Sequence, residues 1–225
     1  MLSVIFSSHN GGNTLPLTLD AFMSLECPAQ GVEFIAVDNA STDDTSEILS
    51  QYKKHLNFKV LFEPRRGKSY AVNTAIQNAS GDLFVFTDDD VLPEPNWLIA
   101  FAEYANKNPQ ASIFAGQVRH YWESTPLAWL EQLAIEGRSF AGTAVTRSNG
   151  PLTEADIGIV KGTNFMIRRE ILQEVRFCEN EGINFTGQSS SPGGEDTDFV
   201  QRALQNGYKL HYRGMHLTPV HFSTS

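Results

Sequence analysis

The sequence has little cysteine, no excess of basic charge and no long hydrophobic run. Its two cysteines, Cys27 and Cys178, are too few for a disulfide scaffold and match no metal-site spacing. Seventeen Lys and Arg residues against 26 Asp and Glu residues give a net charge of −9, which argues against a protein that binds nucleic acid. No apolar segment approaches the ~20 residues that a membrane-spanning helix needs.

These absences favour a globular protein of the reducing cytoplasm. The first predicted strand begins at Leu2, which leaves no room for a signal peptide and supports the same location. Peripheral contact with the inner face of the membrane stays open. With 225 residues, of which 41% are hydrophobic, the chain can bury a sizeable core, and we expect one domain.

Short apolar runs alternate with amphipathic segments through the first half of the chain. The runs predict β-strands at 2–7, 32–37, 58–62 and 83–87, and each pair of strands is separated by a predicted helix. This order is typical of an α/β fold in which right-handed crossovers build a parallel sheet.

The fourth strand ends abruptly in three carboxylates, Asp88, Asp89 and Asp90. The strand is apolar on both faces, as central parallel strands are, and such strands deliver ligand-binding groups at their carboxyl ends. Three adjacent carboxylates repel one another, and a hard divalent cation is the obvious compensating partner. The alternative is a solvated turn with helix-capping acids.

Other polar residues follow the neighbouring strands at the same edge of the predicted sheet. They are Ser7, His9 and Asn10 after the first strand, Asp38 at the end of the second, and Arg65, Arg66 and Lys68 after the third. Groups that converge on the carboxyl ends of parallel strands form a ligand crevice. We therefore expect a shared site there.

The second half of the chain contributes a further acidic pair. Residues 188–194 are rich in Ser and Gly, typical of a lid or hinge, and Glu195 and Asp196 begin the next helix. Asp196 precedes the buried Phe199 and Val200 by three and four residues, so it should face inward, whereas Glu195 should turn away. His216 and His221 lie in a tail that alternates like an edge strand, and they form a weak candidate metal pair.

Residues 121–150 change character and predict an insertion that lines one side of the crevice. Trp122 and Trp129 lie in it. Either indole ring could stack on a sugar ring, and core packing is the alternative.

Together these residues resemble the inverting glycosyltransferases of family 2, which have the GT-A fold. The resemblance covers nearly the whole chain. It matches 3–10 to the family's opening strand, Asp38 to its nucleotide-binding acid, 88–90 to its DXD motif and 195–196 to its catalytic acidic pair. Asn164, within 162–164, together with Arg168 and Arg169, resembles the strand and loop that border the family's acceptor pocket. The QxxRW motif of the processive members is absent, and no membrane helices follow, which favours transfer of a single sugar.

The resemblance implies a three-layer α/β/α sandwich with a mostly parallel central sheet. Residues 1–225 would form one catalytic domain, in which 1–118 bind the nucleotide sugar and 119–225 bind the acceptor and supply the base. The implied donor-binding residues are Ser7, His9, Asn10, Asp38, Arg65, Arg66, Lys68, Asp88 and Asp89. Asn164 and Glu195 would contact the acceptor, which would be a glycan or a lipid-linked intermediate of a surface polysaccharide.

The chemistry assigns roles to the remaining residues. Asp90, with His216 or His221, would bind Mn²⁺ or Mg²⁺, which would stabilise the charge that develops on a leaving diphosphate. Asp196 would be the general base, and the helix amino terminus should favour its ionised form. A single base with direct displacement inverts the anomeric centre.

Two rival functions remain. A nucleotidyltransferase of sugar phosphates would need a glycine-rich loop with cations after the first strand, whereas 9–13 carry none. A non-catalytic module that binds a nucleotide or a glycan is the second rival, and the acids at all the working positions argue against it.

Overall fold

The computed structural model describes residues 1–55, 57–119, 122, 125–136, 142–143, 148–179 and 194–219, with side chains up to residue 214. The strands are β1 (Leu2–Ser8), β2 (Val32–Asp38), β3 (Phe58–Phe62), β4 (Leu83–Thr87), β5 (Val91–Pro93), β6 (Ile113–Val118), β7 (Gly150–Pro151), β8 (Asn164–Arg168) and β9 (Leu210–Pro219). The α-helices are α1 (Leu15–Met23), α2 (Thr45–Tyr52), α3 (Lys68–Asn78), α4 (Trp97–Lys107), α5 (Ala128–Ile135) and α6 (Glu195–Gln205). Glu154–Ile159 and Arg169–Gln173 form 3₁₀ turns.

Within the described part of the chain, nine strands form one sheet. Eight follow the order β3-β2-β1-β4-β8-β6-β9-β5, and β7 pairs with β9. Strands β1, β2, β3, β4, β6 and β9 point the same way, because β4 and β6 both run antiparallel to β8 and β9 runs parallel to β6. The mostly parallel sheet is therefore confirmed, and both halves of the chain contribute strands to it.

Helices cover both faces of the sheet, which confirms the three-layer α/β/α sandwich. One face packs against α3 and α6 through residues such as Ala71, Ala75, Phe199 and Ala203. The other packs against α1, α2 and α4 through residues such as Leu19, Phe22, Leu49, Trp97 and Phe101. Burial of each large apolar side chain contributes about 1.5–3 kcal/mol to this packing.

Strand β4 lies at the centre of this arrangement and is buried along its whole length. Phe84 and Phe86 face the α3–α6 layer, whereas Leu83 and Val85 face the other layer. The two-sided apolar character predicted for this strand is confirmed, and it fixes the point at which the acidic turn leaves the sheet.

The predicted edge strand in the tail is wrong. β9 is one continuous strand that lies between β6 and β5, with its bulge opposite Gly116 and Gln117. Alternation of polar and apolar residues reports the two faces of a strand and carries no information about its neighbours in the sheet. The three-residue strand β5 was not predicted, because it is too short for a period to be visible.

Asn164, predicted to contact the acceptor, lies instead in the core between β4 and β6. Its side chain is 0% exposed. The indole nitrogen of Trp97 donates to its Oδ1 at 3.0 Å, and its Nδ2 donates to the carbonyl oxygen of Gln117 at 2.8 Å. This amide satisfies two buried polar groups, and its position favours a packing role.

Substitution of Asn164 should therefore cost stability. Asn164→Ala leaves the buried N–H of Trp97 without an acceptor, and we expect the free energy of unfolding to fall by about 1–3 kcal/mol in chemical denaturation. The control is Asn206→Ala, which removes an exposed amide that bonds the carbonyl oxygen of Arg202, with an expected change within about 0.5 kcal/mol. Equal stability of Asn164→Ala and the wild type would contradict the packing role.

Candidate active site

A pocket of about 290 Å³ opens at the carboxyl ends of β1, β2 and β4. Its lining residues are Ser7, Ser8, His9, Asn39, Lys68, Asp88, Asp89 and Asp90. The sequence predicted that polar groups from these strand ends would converge. The structure confirms this for Ser7, His9, Lys68 and the acidic turn, and adds Ser8 and Asn39.

An ion pair between Lys68 and Asp88 forms part of the lining of this pocket. Nζ of Lys68 is 2.6 Å from Oδ1 of Asp88, and Oγ1 of Thr163 donates to Oδ2 of the same carboxylate at 2.5 Å. The two charged side chains are only 23% and 26% exposed. Burial alone would raise the pKa of Asp88, but the adjacent ammonium group and the hydrogen bonds lower it. Asp88 is therefore held as an anion.

The middle acid of the turn is used to hold the turn in place. Asp89 accepts a hydrogen bond from the hydroxyl of Ser8. Its carbonyl oxygen accepts from Oγ1 of Thr18 at 3.0 Å, and the same hydroxyl accepts from the N–H of Val91 at 2.9 Å. Burial, together with repulsion from Asp88, raises the pKa of Asp89. These contacts fasten the acidic turn to β1 and α1.

Of the three acids in the turn, Asp90 is the one whose charge is least compensated. Burial, followed by repulsion from Asp88 and Asp89, raises its pKa from 3.8 to about 7. A carboxylate in such surroundings gains most from a nearby cation.

Asn39 positions the loop that delivers Lys68 to the pocket. Its Nδ2 donates to the carbonyl oxygens of Glu63 and Arg65, and its Oδ1 accepts from the N–H of Gly67 at 2.8 Å. A ring nitrogen of His9 lies 2.8 Å from the carbonyl oxygen of Asn39. The sequence carried one signal for this role, since Asn39 is the first residue after β2.

Four predicted donor-binding residues lie outside the pocket lining. Asp38 is 1% exposed, and its carboxylate accepts from the N–H of Ser41 at 2.9 Å and from the hydroxyl of Ser46. Asn10 likewise bonds the segment that follows, since its Oδ1 accepts from the N–H of Thr42 at 2.8 Å. Both side chains tie β1 and β2 to the approach to α2.

Arg65 and Arg66 of the predicted basic loop are the other two predicted donor-binding residues that lie outside the pocket lining. Arg65 donates to the carboxylate of Glu63 from Nε and Nη2 at 2.8 and 2.9 Å, and its guanidinium carbon lies 4.5 Å from the ring centre of Tyr70. Arg66 is exposed. Of the three predicted cations in this loop, Lys68 is the one that lines the pocket.

Asp196 approaches the acidic turn from α6. Its carboxylate accepts from the N–H of Gly162, and a Cβ atom on Gly162 would collide with its Oδ2. Gly162 directly precedes Thr163, which bonds Asp88, so Asp196 and Asp88 flank one short segment. The predicted inward direction of Asp196 is in agreement with this contact.

The predicted ionisation of Asp196 is wrong. Burial raises its pKa to about 7, with Glu195 and Asp88 adding to the rise against the attraction of Lys68. The helix amino terminus was expected to favour the charged form, but loss of solvent and like charges outweigh it. Asp196 can therefore both bind and release a proton near neutral pH.

Glu195 was predicted to turn away from the interior, and this is wrong. It is 4% exposed, and its Oε2 has no hydrogen-bond partner among the residues that the structure describes. Asp198 does turn outward and pairs with Arg202 at 2.6 Å. Because Glu195 is the first residue of α6, a helical wheel drawn from the sequence fixes its direction poorly.

The predicted histidine ligands receive no test. His216 pairs with Gln117 in the sheet, and its side chain is not described, whereas His221 lies outside the described residues. Across the described ranges, no three His, Cys, Asp or Glu side chains form a group that could hold a metal ion. Asp90 still fits a divalent cation chemically, since Mg²⁺ is commonly bound by one or two carboxylates together with substrate phosphates.

Comparison with known proteins gives this geometry a family context. A model described as glycosyl transferase family 2 matches residues 3–176. The chain is 26% identical over 211 residues to a poly-β-1,6-N-acetyl-D-glucosamine synthase of Staphylococcus epidermidis, and 25% identical over 216 residues to the probable glycosyltransferase YdaM of Bacillus subtilis. These matches cover 93% and 94% of this chain but 45% and 48% of the relatives, so the chain spans about half of their length.

Solved structures share the fold at lower identity. TarS of S. aureus in complex with UDP-GlcNAc superposes with a TM-score of 0.76 at 18% identity, covering 100% of this chain and 59% of TarS. The mannosyltransferase PcManGT of Pyrobaculum calidifontis, in complex with GDP-Man and Mn²⁺, gives 0.70 at 20% identity, covering 100% and 58%. The predicted GT-A fold is confirmed. No helix in the described part of this chain is long and apolar enough to cross a membrane.

Repulsion among the carboxylates of the acidic turn should lower the free energy of unfolding in a pH-dependent way. The stability contributed by protonated Asp90 is complete below its ordinary pKa of 3.8 and is lost as pH rises through about 7. In metal-free protein at pH 8, Asp90→Asn should therefore raise the free energy of unfolding by about 1 kcal/mol, after allowance for solvent screening. This corresponds to roughly 2–4 °C in thermal unfolding.

The stability gained by Asp90→Asn should disappear at pH 4, where Asp90 of the wild type is largely protonated. Asp82→Asn is the control, since Asp82 is 82% exposed and pairs with the amino terminus, and its effect should stay within about 0.5 kcal/mol. An unchanged or lowered melting temperature of Asp90→Asn at pH 8 would show that the turn carries no uncompensated charge.

Proposed function

Because the chain belongs to glycosyl transferase family 2, we propose that it transfers one sugar from a nucleoside-diphosphate sugar to a hydroxyl group of an acceptor, with inversion at the anomeric carbon. The observation that carries the proposal is the position of Asp196. Its carboxylate contacts Gly162, the neighbouring Thr163 bonds Asp88, and Asp88 lines the pocket, which Asp196 itself does not line. Two similar proteins are named for complexes with UDP-GlcNAc and GDP-Man, which supports a nucleotide sugar as donor.

The donor diphosphate would lie against Lys68 and the acidic turn. An ammonium group has three N–H donors, so Lys68 can hold Asp88 and still donate to a diphosphate oxygen. Asp90, together with the diphosphate oxygens, would hold Mn²⁺ or Mg²⁺. When bound, the cation would stabilise negative charge on the leaving diphosphate as a Lewis acid.

Asp196 would remove the proton from the attacking acceptor hydroxyl. General-base catalysis by a positioned carboxylate typically contributes ~10²–10⁴-fold, and it is most effective when the pKa of the base lies near the working pH. The elevated pKa of Asp196, about 7, meets this condition. A single base that acts on the acceptor side would give direct displacement, so an α-linked donor would give a β-linked product.

The acceptor would be a glycan or a lipid-linked intermediate in the synthesis of a surface polysaccharide. The synthase from S. epidermidis to which the chain is similar is named for a polysaccharide product, which supports this class. Such an acceptor would be met in the cytoplasm or at the inner face of the membrane.

The experiment that tests the proposal compares wild type with Asp196→Asn. With UDP-GlcNAc, GDP-mannose and a wider set of nucleotide sugars in Mn²⁺ or Mg²⁺, wild type should release nucleoside diphosphate and glycosylate an acceptor. Asp196→Asn should bind the donor with similar affinity in calorimetry and lose at least about 10²-fold in transfer rate. In wild type, the rate should fall as pH drops below about 7, because the base must be ionised.

Asp198→Asn is the matched control, since Asp198 lies on the same helix and pairs outward with Arg202. It should retain the wild-type rate. Pyrophosphate release from a nucleoside triphosphate would favour a nucleotidyltransferase, and donor binding without turnover by wild type would favour a silent binding module. Full activity of Asp196→Asn would refute the assigned base.

A further inference from the structure

A second groove, which we call the α5 groove, has a volume of about 170 Å³ and is lined in part by Val118 at the end of β6. Arg119 and Trp122, which follow β6, form one part of its lining. Glu131, Ala134 and Ile135 of α5 form another. The lining therefore combines a tryptophan, an arginine and a glutamate with apolar residues.

Hydrogen bonds join two residues in the lining of the α5 groove, Val118 and Thr143. The N–H of Val118 donates to Oγ1 of Thr143 at 2.9 Å, and the N–H of Thr143 donates to the carbonyl oxygen of Val118 at 3.0 Å. Both residues are buried lining residues. On α5, residues three and four apart lie on the same helical face, which aligns Glu131 with Ala134 and Ile135.

The register of the sheet relates this groove to Asp196. Phe165 of β8 pairs with Phe86 of β4 on one side and with Ala115 of β6 on the other. The ends of β4 and β6 therefore point to the same edge and lie two strand spacings apart, about 10 Å. Gly162, which contacts Asp196, leads into the strand between them. Asp196 therefore contacts the segment that leads into β8, the strand between β4, which ends at the acidic turn, and β6, whose last residue Val118 lines the groove.

We propose that the α5 groove binds a sugar ring of the acceptor, a subsite that rests on the proposed function and specifies its substrate. Sugar rings present one apolar C–H face and a rim of hydroxyl groups. An indole ring matches the face, and a guanidinium and a carboxylate match the rim as donor and acceptor. A glycan that is seated here extends toward Asp196, where its terminal hydroxyl is deprotonated.

The same helix supplies a control residue. Trp129 is 61% exposed on α5 and does not line the groove. The two tryptophans share their chemistry and their region of the chain and differ in access to the groove. A sugar that merely adheres to exposed aromatic surface would involve Trp129, whereas a ring seated in the α5 groove would involve Trp122.

Saturation-transfer NMR and fluorescence titration should test this with di- and trisaccharides of glucose, galactose, mannose and N-acetylglucosamine. We expect saturable binding of at least one of these sugars by wild type. Trp122→Ala should weaken its binding about tenfold or more, and Trp129→Ala should leave it unchanged. Trp122→Phe, which keeps an aromatic face, should recover most of the affinity and exclude misfolding as the cause. Glu131→Gln should weaken binding without loss of thermal stability.

Two outcomes overturn the proposal: no sugar in this set binds wild type, or Trp122→Ala binds as tightly as Trp129→Ala. Its failure is separable from failure of the proposed function. Nucleotide release from the donor is measured on wild type, so a wild type that splits a nucleotide sugar but binds none of the saccharides overturns the subsite alone. If wild type splits none of the nucleotide sugars, the proposed function fails, whatever the result of the sugar titration.

Discussion

The ion pair between Lys68 and Asp88 is the interaction on which the rest of the site depends. The ammonium group attracts Asp196 and Glu195 as well as Asp88, and these three acids reach it from two different elements of the fold. Burial alone would lower the pKa of Lys68, yet the surrounding carboxylates raise it, so the lysine is fixed as a cation. Without it, acids at the edge of β4 and at the start of α6 would repel one another with little solvent to screen them.

Lys68 compensates the charge of these acids only in part, and the uncompensated charge suits the proposed chemistry. Asp88 is kept ionised, whereas the pKa values of Asp90 and Asp196 rise to about 7. One fold thus holds a permanent anion, an acid that would gain from a cation and an acid that can exchange a proton. Charge that costs stability in the free protein supports the proposed chemistry when donor and cation are bound, a trade common at functional sites.

Much of this arrangement could be predicted from the sequence, because it depends on short-range pattern. An apolar strand that ends in three acids, and an acid three and four residues before a buried helical stripe, identified β4, the acidic turn and Asp196. The misses depend on tertiary context. The carboxylate of Asp38 is bonded to the N–H of Ser41, and it is the next residue, Asn39, that reaches the pocket. The burial of Glu195 and Asn164 is set by neighbours distant in sequence.

In the proposed mechanism, the contact with Gly162 holds Asp196 in its working position. The most direct test compares the transfer rates of Gly162→Ala and Gly158→Ala. A Cβ atom on Gly162 would meet the carboxylate of Asp196, whereas one on Gly158 has nothing within 4 Å. We expect a loss of roughly 10²-fold for Gly162→Ala, because the base would be displaced by about 1 Å, and a wild-type rate for Gly158→Ala. Equal rates for the two variants would contradict it.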